Sequence, residues 1–241
     1  MNAPRASLGA LIIQTGRICM RRAPLFGAVA LGGLALQSAL ELGTDIPQRT
    51  FLGLSIILPL VTAVVYAFTP DEDYAGDARA RWERAVERSW AVIVIDFLVA
   101  FLFGIGVTLV GAGDPANALL GALTLLLGAM LTYADVHAVF EANAAPLTII
   151  PESLAFSLTL CYDVTTFLRA LVLTAVQMLI TTASAIAEHR LDAAHVPHAH
   201  LWAGIVPVYL VAVPLNVLTA LVYLDAMRRI ATRGTERAGG P

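Results

Sequence analysis

The chain has 241 residues, 58% of them hydrophobic and only 14% charged, with a formal net charge of −3. Soluble domains average roughly 45–50% apolar and about 25% charged, and a single core could not hide this excess, so a soluble globular fold is excluded. The lipid bilayer is the partner that takes the excess, and nothing in the charge pattern supports a nucleic-acid partner.

A transmembrane helix needs ~20 mostly apolar residues. Six runs meet or approach this: residues 25–40, 51–68, 90–110, 116–133, 164–187 and 201–223. The first is the shortest and reads as extending back through Ile18 toward Leu11, as a helix emerging from the cytoplasm. Arg17, Arg21 and Arg22 precede it with no small-x-small cleavage site after them, so it reads as a span and not as a signal peptide. Residues 1–232 are expected to form a single transmembrane domain, and 233–241 a disordered cytoplasmic tail.

Between the second and third spans lies an acidic turn (Thr69, Pro70, Asp71, Glu72, Asp73), followed by ARARWERAVERS. Arg79 and Glu83 are four apart, and Trp82, Ala85, Val86 and Trp90 form an apolar stripe. This is the pattern of an interfacial helix leading into the third span. Residues 151–164 begin with Pro151 and Glu152, suited to a first helical turn, and are too short and polar to span. They are expected to lie on the inner leaflet before the fifth span. The two elements pair residues 77–111 with 151–187 as a weak internal repeat. The fold class is therefore all-α: a bundle of six transmembrane helices with interfacial cytoplasmic helices before the third and fifth spans.

With the N-terminus inside, Arg5, Arg17, Arg21, Arg22, Arg79, Arg81, Arg84, Arg88, Arg228, Arg229, Arg233 and Arg237 fall on the cytoplasmic side, and Arg169 near it. Only Arg49 and Arg190 fall outside. That asymmetry predicts a multi-pass protein of a bacterial inner membrane with both termini in the cytoplasm. Cys19 and Cys161 then sit on the reducing side, where no disulfide is expected.

Ionisable residues inside spans are costly and are the first candidates for function. Asp96 lies six residues beyond Trp90, about 9 Å along the helix at 1.5 Å per residue. Arg169 on the fifth span is its expected partner, and Asp96 and Arg169 form the candidate intramembrane polar pair. Asp135, His137 and Glu141 close the fourth span. His137 and Glu141 share a helix face, but two ligands do not make a metal site, and a solvated helix end is the reading adopted. His189, His195, His198 and His200 crowd the external loop as a candidate metal or pH site, although Pro197 breaks any common helical face. Ala28 with Gly32, and Gly121 with Gly128, are small-residue pairs suited to close helix packing, while Pro59, Pro207 and Pro214 should kink their spans. No nucleophile elbow, P-loop, dinucleotide or metallopeptidase motif is present, so neither catalysis nor a cofactor is expected.

The two ends of the chain carry a resemblance. LGALIIQTGRICMRRAPLFGAVAL runs a basic amphipathic stretch into a span, and PLNVLTALVYLDAMRRI sets Pro214, Thr219, Tyr223, Asp225 and Arg228 along the last one. Together they resemble the polytopic family that includes the membrane domain of glycerophosphodiester phosphodiesterases, with Arg228 three residues after Asp225 where the family has two. The resemblance implies a six-span plan and a terminal-helix motif of Tyr223, Asp225 and Arg228. It implies no catalysis, because the phosphodiesterase domain is absent. Tyr223 reads as an interface anchor, and Asp225 can pair with Arg228 or Arg229.

The functional expectation is a non-enzymatic membrane protein with an accessory or scaffolding role, its partner another membrane protein or a second copy. The alternative is a small transporter or permease-like subunit using Asp96 and Arg169.

Overall fold

The computed structural model describes residues 6–43, 49–70, 76–141 and 148–238, with side chains described from residue 53 in the second segment and up to residue 231 in the last. Arg5, the acidic run 71–73, residues 239–241, and the side chains of Arg49, Arg233 and Arg237 lie outside the described residues. The described chain is all-α.

Helix α1 (Leu8–Arg21) is capped by Ser7, whose hydroxyl accepts from the Ala10 N–H at 3.1 Å. The first span was expected to run back unbroken into this segment. Instead the helix stops at Arg22 (φ −107°, ψ 16°) and α2 (Ala23–Gly43) begins afresh. Pro24 lacks the N–H that would bond the Met20 carbonyl, so the helical ladder fails at this point. Ala28 and Gly32 are exposed, so the face of α2 that packs within the chain is a different one. Ala30, Gly33, Gln37 and Glu41 are buried, and a Cβ at Gly33 would meet Val61 Cγ2 at 2.7 Å and Tyr209 Cε1 at 2.9 Å.

Helix α3 (Arg49–Phe68) packs on α2 and on α4 (Ala78–Gly111). Two arginines hold its far end: Arg22 Nη2 and Arg81 Nη1 donate to the Pro70 carbonyl at 3.1 and 2.8 Å. Arg81 is 1% exposed, although its sequence neighbourhood reads as a solvated helix. Helix α4 is continuous over 34 residues, about 51 Å at 1.5 Å per residue. The segment expected as a separate bent helix before the third span is thus its first turns, since no proline or glycine interrupts residues 78–103.

A tight turn with Gly113 at φ +76° leads to α5 (Pro115–Met130), whose N-cap Asp114 accepts from the Asn117 N–H at 3.1 Å. A Cβ at Gly121 would lie 2.7 Å from the Gly106 carbonyl, so α4 and α5 touch backbone to backbone, while Gly128 sits against the Phe103 ring.

After α5 the chain turns at 131–133 and continues as α6 (Ala134–Phe140). Helix α7 (Ile149–Leu160) docks on that turn. Its Ser157 Oγ donates to the Met130 carbonyl at 2.7 Å and accepts from the Tyr133 N–H at 3.2 Å, covering backbone groups freed by the helix break. Cys161 Sγ also contacts the Met130 carbonyl, at 3.5 Å, and both cysteines are free. Helix α8 (Val164–Ala193) follows a turn capped by Asp163, so residues 151–187 form two helices where their expected repeat partner, 77–111, lies in one. A π-helical turn (His200–Ile205) opens α9 (Val206–Ala238) just ahead of Pro207, whose missing N–H cannot complete the ordinary ladder. The expected tail from residue 233 thus overlaps the last turns of this helix.

Among the described residues, five helical stretches are long and apolar enough to cross a membrane: α2, α4, α5 with α6 (Pro115–Phe140), α8, and the π-turn with α9 (His200–Ala231). The apolar part of α3, Gly53–Phe68, is shorter. Leu31, Leu36, Leu119, Leu120, Leu123 and Leu179 are among many large apolar side chains left exposed, the surface that lipid covers.

Candidate functional site

Helices α3, α4, α8 and α9, the turn after α5, and Asp135 of α6 surround a cavity of about 820 Å³. Leu54 and Ser55 of α3, Thr108 of α4, Ile180 and Thr181 of α8, and Val208 of α9 line one end. Tyr66, Asp96, Asp135 and Thr219 line the other. Its walls are mostly apolar, and among the described residues the charged ones facing it are Asp96 and Asp135.

The two carboxylates are held differently. Tyr66 Oη donates to Asp135 Oδ2 at 2.8 Å, and the Val136 N–H to Asp135 Oδ1 at 2.8 Å. Asn216 Nδ2 donates to Thr62 Oγ1 at 2.9 Å beside them. Asp96 makes no hydrogen bond among the described residues, and lies close enough to Asp135 for their charges to interact. Asp135 was read as part of a solvated helix end, and that reading is corrected: it is 9% exposed, and His137 7%. After the turn at 131–133, α6 packs against α3, α4 and α7, and the signal was available in the residues around them. Ala134, Val136, Ala138 and Val139 are all 0% exposed, and a helix apolar on every side is a buried one.

The expected pair of Asp96 with Arg169 does not form. Arg169 Nη1 binds Asp225 Oδ2 at 2.6 Å and its Nη2 donates to the Ala6 carbonyl at 2.5 Å. Arg229 Nη1 binds Asp163 Oδ2 at 2.7 Å, its Nη2 donates to Thr166 Oγ1 at 3.0 Å, and its Nε lies 3.4 Å from Asp225 Oδ2. Two guanidinium groups and two carboxylates therefore neutralise one another and tie the segment before α1, the start of α8 and the end of α9 together. Of the terminal-helix motif, Asp225 belongs to this network, Arg228 is exposed, and Arg229 takes the role that Arg228 was expected to share. Tyr223 is not an interface anchor. It is 2% exposed, with its hydroxyl 2.8 Å from His137 Nδ1, and the His137 ring stacks on Phe156 at 4.1 Å. This aromatic cluster and the ion network close the bundle beyond the acidic end of the cavity.

Burial raises the proton affinity of the Asp163 carboxyl, but hydrogen bonds from Thr166 and the Arg229 guanidinium outweigh it and hold the group below its ordinary value. Stability from Asp163 is thus full above the unfolded carboxylate value of about 3.9 and is lost as pH falls through the lower folded value. The melting temperature in detergent should fall below about pH 4, and Asp163→Asn should flatten that decline. An unchanged acid limb in the variant would count against the assignment.

Of the four histidines only His198 and His200 come together among the described residues, their rings edge to face with centroids 6.5 Å apart. His189 is exposed, His195 and His198 have positive φ (56° and 57°), and His200 Nε2 lies 3.6 Å from Glu41 Oε2 on α2. Among the described residues, no three His, Cys, Asp or Glu side chains are arranged to hold a metal. No family profile, curated protein or solved structure matches the chain, so its functional reading rests on the cavity and its two carboxylates.

Proposed function

We propose that this chain is a six-span protein of a bacterial inner membrane that binds a small solute in its cavity and carries it across. In this reading α3, a helix of 20 residues, is the sixth span and α7 lies at the inner interface. Both termini lie in the cytoplasm, as the arginine distribution requires. The observation that carries the carrier reading is a cavity of about 820 Å³ inside an apolar bundle, with two carboxylates on its wall. A scaffold has no need of such a space, and an ionisable group there marks a solute path by default.

In this orientation Ser55, Thr108, Thr181 and Val208 lie toward the external ends of their helices, and Asp96 and Asp135 toward the cytoplasmic ends. The aromatic cluster and the ion network then seal the inner side, the arrangement of a carrier open outward. The resemblance to the membrane domain of glycerophosphodiester phosphodiesterases fits the six-span plan and adds no activity.

Cysteine accessibility tests this reading. In a Cys19→Ser, Cys161→Ser background, Thr108→Cys and Thr181→Cys should react with a membrane-impermeant thiol reagent added outside intact cells. Asp225→Asn, which weakens the inner seal, should make them reactive as well to reagent added outside inverted vesicles, where the cytoplasmic face is the exposed one. Cysteines unreactive from either side would sink the carrier reading. Co-purification of a stoichiometric membrane partner together with such unreactive cysteines would favour the accessory role.

A further inference from the structure

We propose, on the strength of the cavity reading above, that the occupant is an amphipathic organic monocation, its charged head on the Asp96 carboxylate and its apolar body along the aromatic wall of α4. Four observations carry this. First, the cavity contains acid without base. Among the described residues Asp96 and Asp135 are its charged lining residues, and Arg169 and Arg229 are engaged by Asp225 and Asp163. Beside Asp96 and Asp135 an anion would meet like charge.

Second, the carboxylates divide the work. Asp135 has its donors from Tyr66 and the Val136 N–H, whereas Asp96 makes no hydrogen bond among the described residues. Its carboxyl oxygens are left with open hydrogen-bonding positions facing the cavity, which a donor or a cation entering there would fill.

Third, size and lining argue against an inorganic ion. A hard divalent cation takes six or more oxygens at roughly 2.0–2.6 Å, and no group of three metal-ligating side chains occurs among the described residues. About 820 Å³ instead lies within the range of roughly 300–1,000 Å³ that drug-sized molecules occupy.

Fourth, the wall suits an apolar body. Phe97, Phe101 and Phe103 of α4 line the cavity with Ile180 and Leu215, and ring faces attract desolvated cations. Phe97 and Phe101 remain 48% and 59% exposed, and α4 and α8 flank the space without packing closely on one another, which leaves a path for a lipid-soluble solute.

The test uses the full chain in mild detergent with two probes of like size and opposite charge, tetraphenylphosphonium and tetraphenylborate. Tetraphenylphosphonium should bind saturably and protect Thr108→Cys from a thiol reagent, and tetraphenylborate should do neither. Asp96→Asn should weaken tetraphenylphosphonium binding about tenfold or more, the scale of one lost charge-assisted contact, and Asp96→Glu should restore most of it. Equal binding of both probes, or wild-type affinity in Asp96→Asn with its melting temperature intact, overturns the cationic assignment. Protection by tetraphenylborate or neutral triphenylmethanol alone overturns the class and keeps the cavity. Protection by Mg²⁺ or Ca²⁺ alone replaces the organic cation with an inorganic one. A Thr108→Cys side chain that never reacts removes the cavity reading itself, so the two failures are separable.

Discussion

Asp225→Ala should lower the unfolding free energy by about 3–5 kcal/mol, the cost of breaking a buried ion pair and stranding its partner. Arg169 is 8% exposed, and Asp225 is its carboxylate partner among the described residues, at 2.6 Å. Without Asp225, Arg169 loses that carboxylate in a place with little access to water. The loss reaches further than one contact, because Arg169 also holds the Ala6 carbonyl before α1, and Arg229 joins the end of α9 to the Asp163 cap of α8. The double substitution Arg169→Met with Asp225→Leu should recover most of the stability, since removing both charges strands neither. Thermal unfolding in detergent measures both. A single variant within 1 kcal/mol of wild type, roughly the value of an exposed pair, would mean that the network is a surface feature.

Asp96→Asn should move stability the other way. A charged side chain costs ~2.5–3.5 kcal/mol at the centre of a membrane helix on insertion scales, and Asp96, toward the cytoplasmic end of its span, carries part of that cost. Asp225 offsets that kind of cost with two guanidinium groups, while Asp96 has no hydrogen-bond partner among the described residues. Replacing the carboxylate with an amide should therefore keep the fold and raise stability by about 1–3 kcal/mol, seen as a higher melting temperature in the same assay. Gain of stability with loss of cation binding is the signature of a residue retained for work. A destabilisation comparable to that of Asp225→Ala would instead give Asp96 a structural partner and remove it from the site.

The contrast between these two aspartates was only half legible in the residues. Both stand out as charges in or beside apolar helices, and hydropathy alone marks Asp96 as costly. The partners of the aspartates that have them, Asp225 and Asp135, lie far off along the chain. Arg169 and Asp225 are 56 residues apart, and Tyr66 and Asp135 are 69 apart. Helical spacing covers only neighbours three or four residues away. Asp225 with Arg229 was within that reach, and Arg169 with Asp225 was not. The same limit explains Tyr223, which has the composition of an interface anchor but faces His137 and Phe156.

The sequence by itself determined the chemistry of the solvent and the helical class. Apolar runs long enough to cross a bilayer are a local sum over ~20 residues, independent of what packs beside them. The same local reading marked Asp96 and the prolines at which a span should kink. Only the tertiary structure decided where the chain breaks at residues 131–133, which charges neutralise one another, and which carboxylates face the cavity. Those outcomes depend on how five helical elements meet around one volume, and that packing is set by long-range shape and not by hydropathy. Tertiary packing thus hides Arg169 and Arg229 in a neutral network and leaves Asp96 and Asp135 facing the cavity.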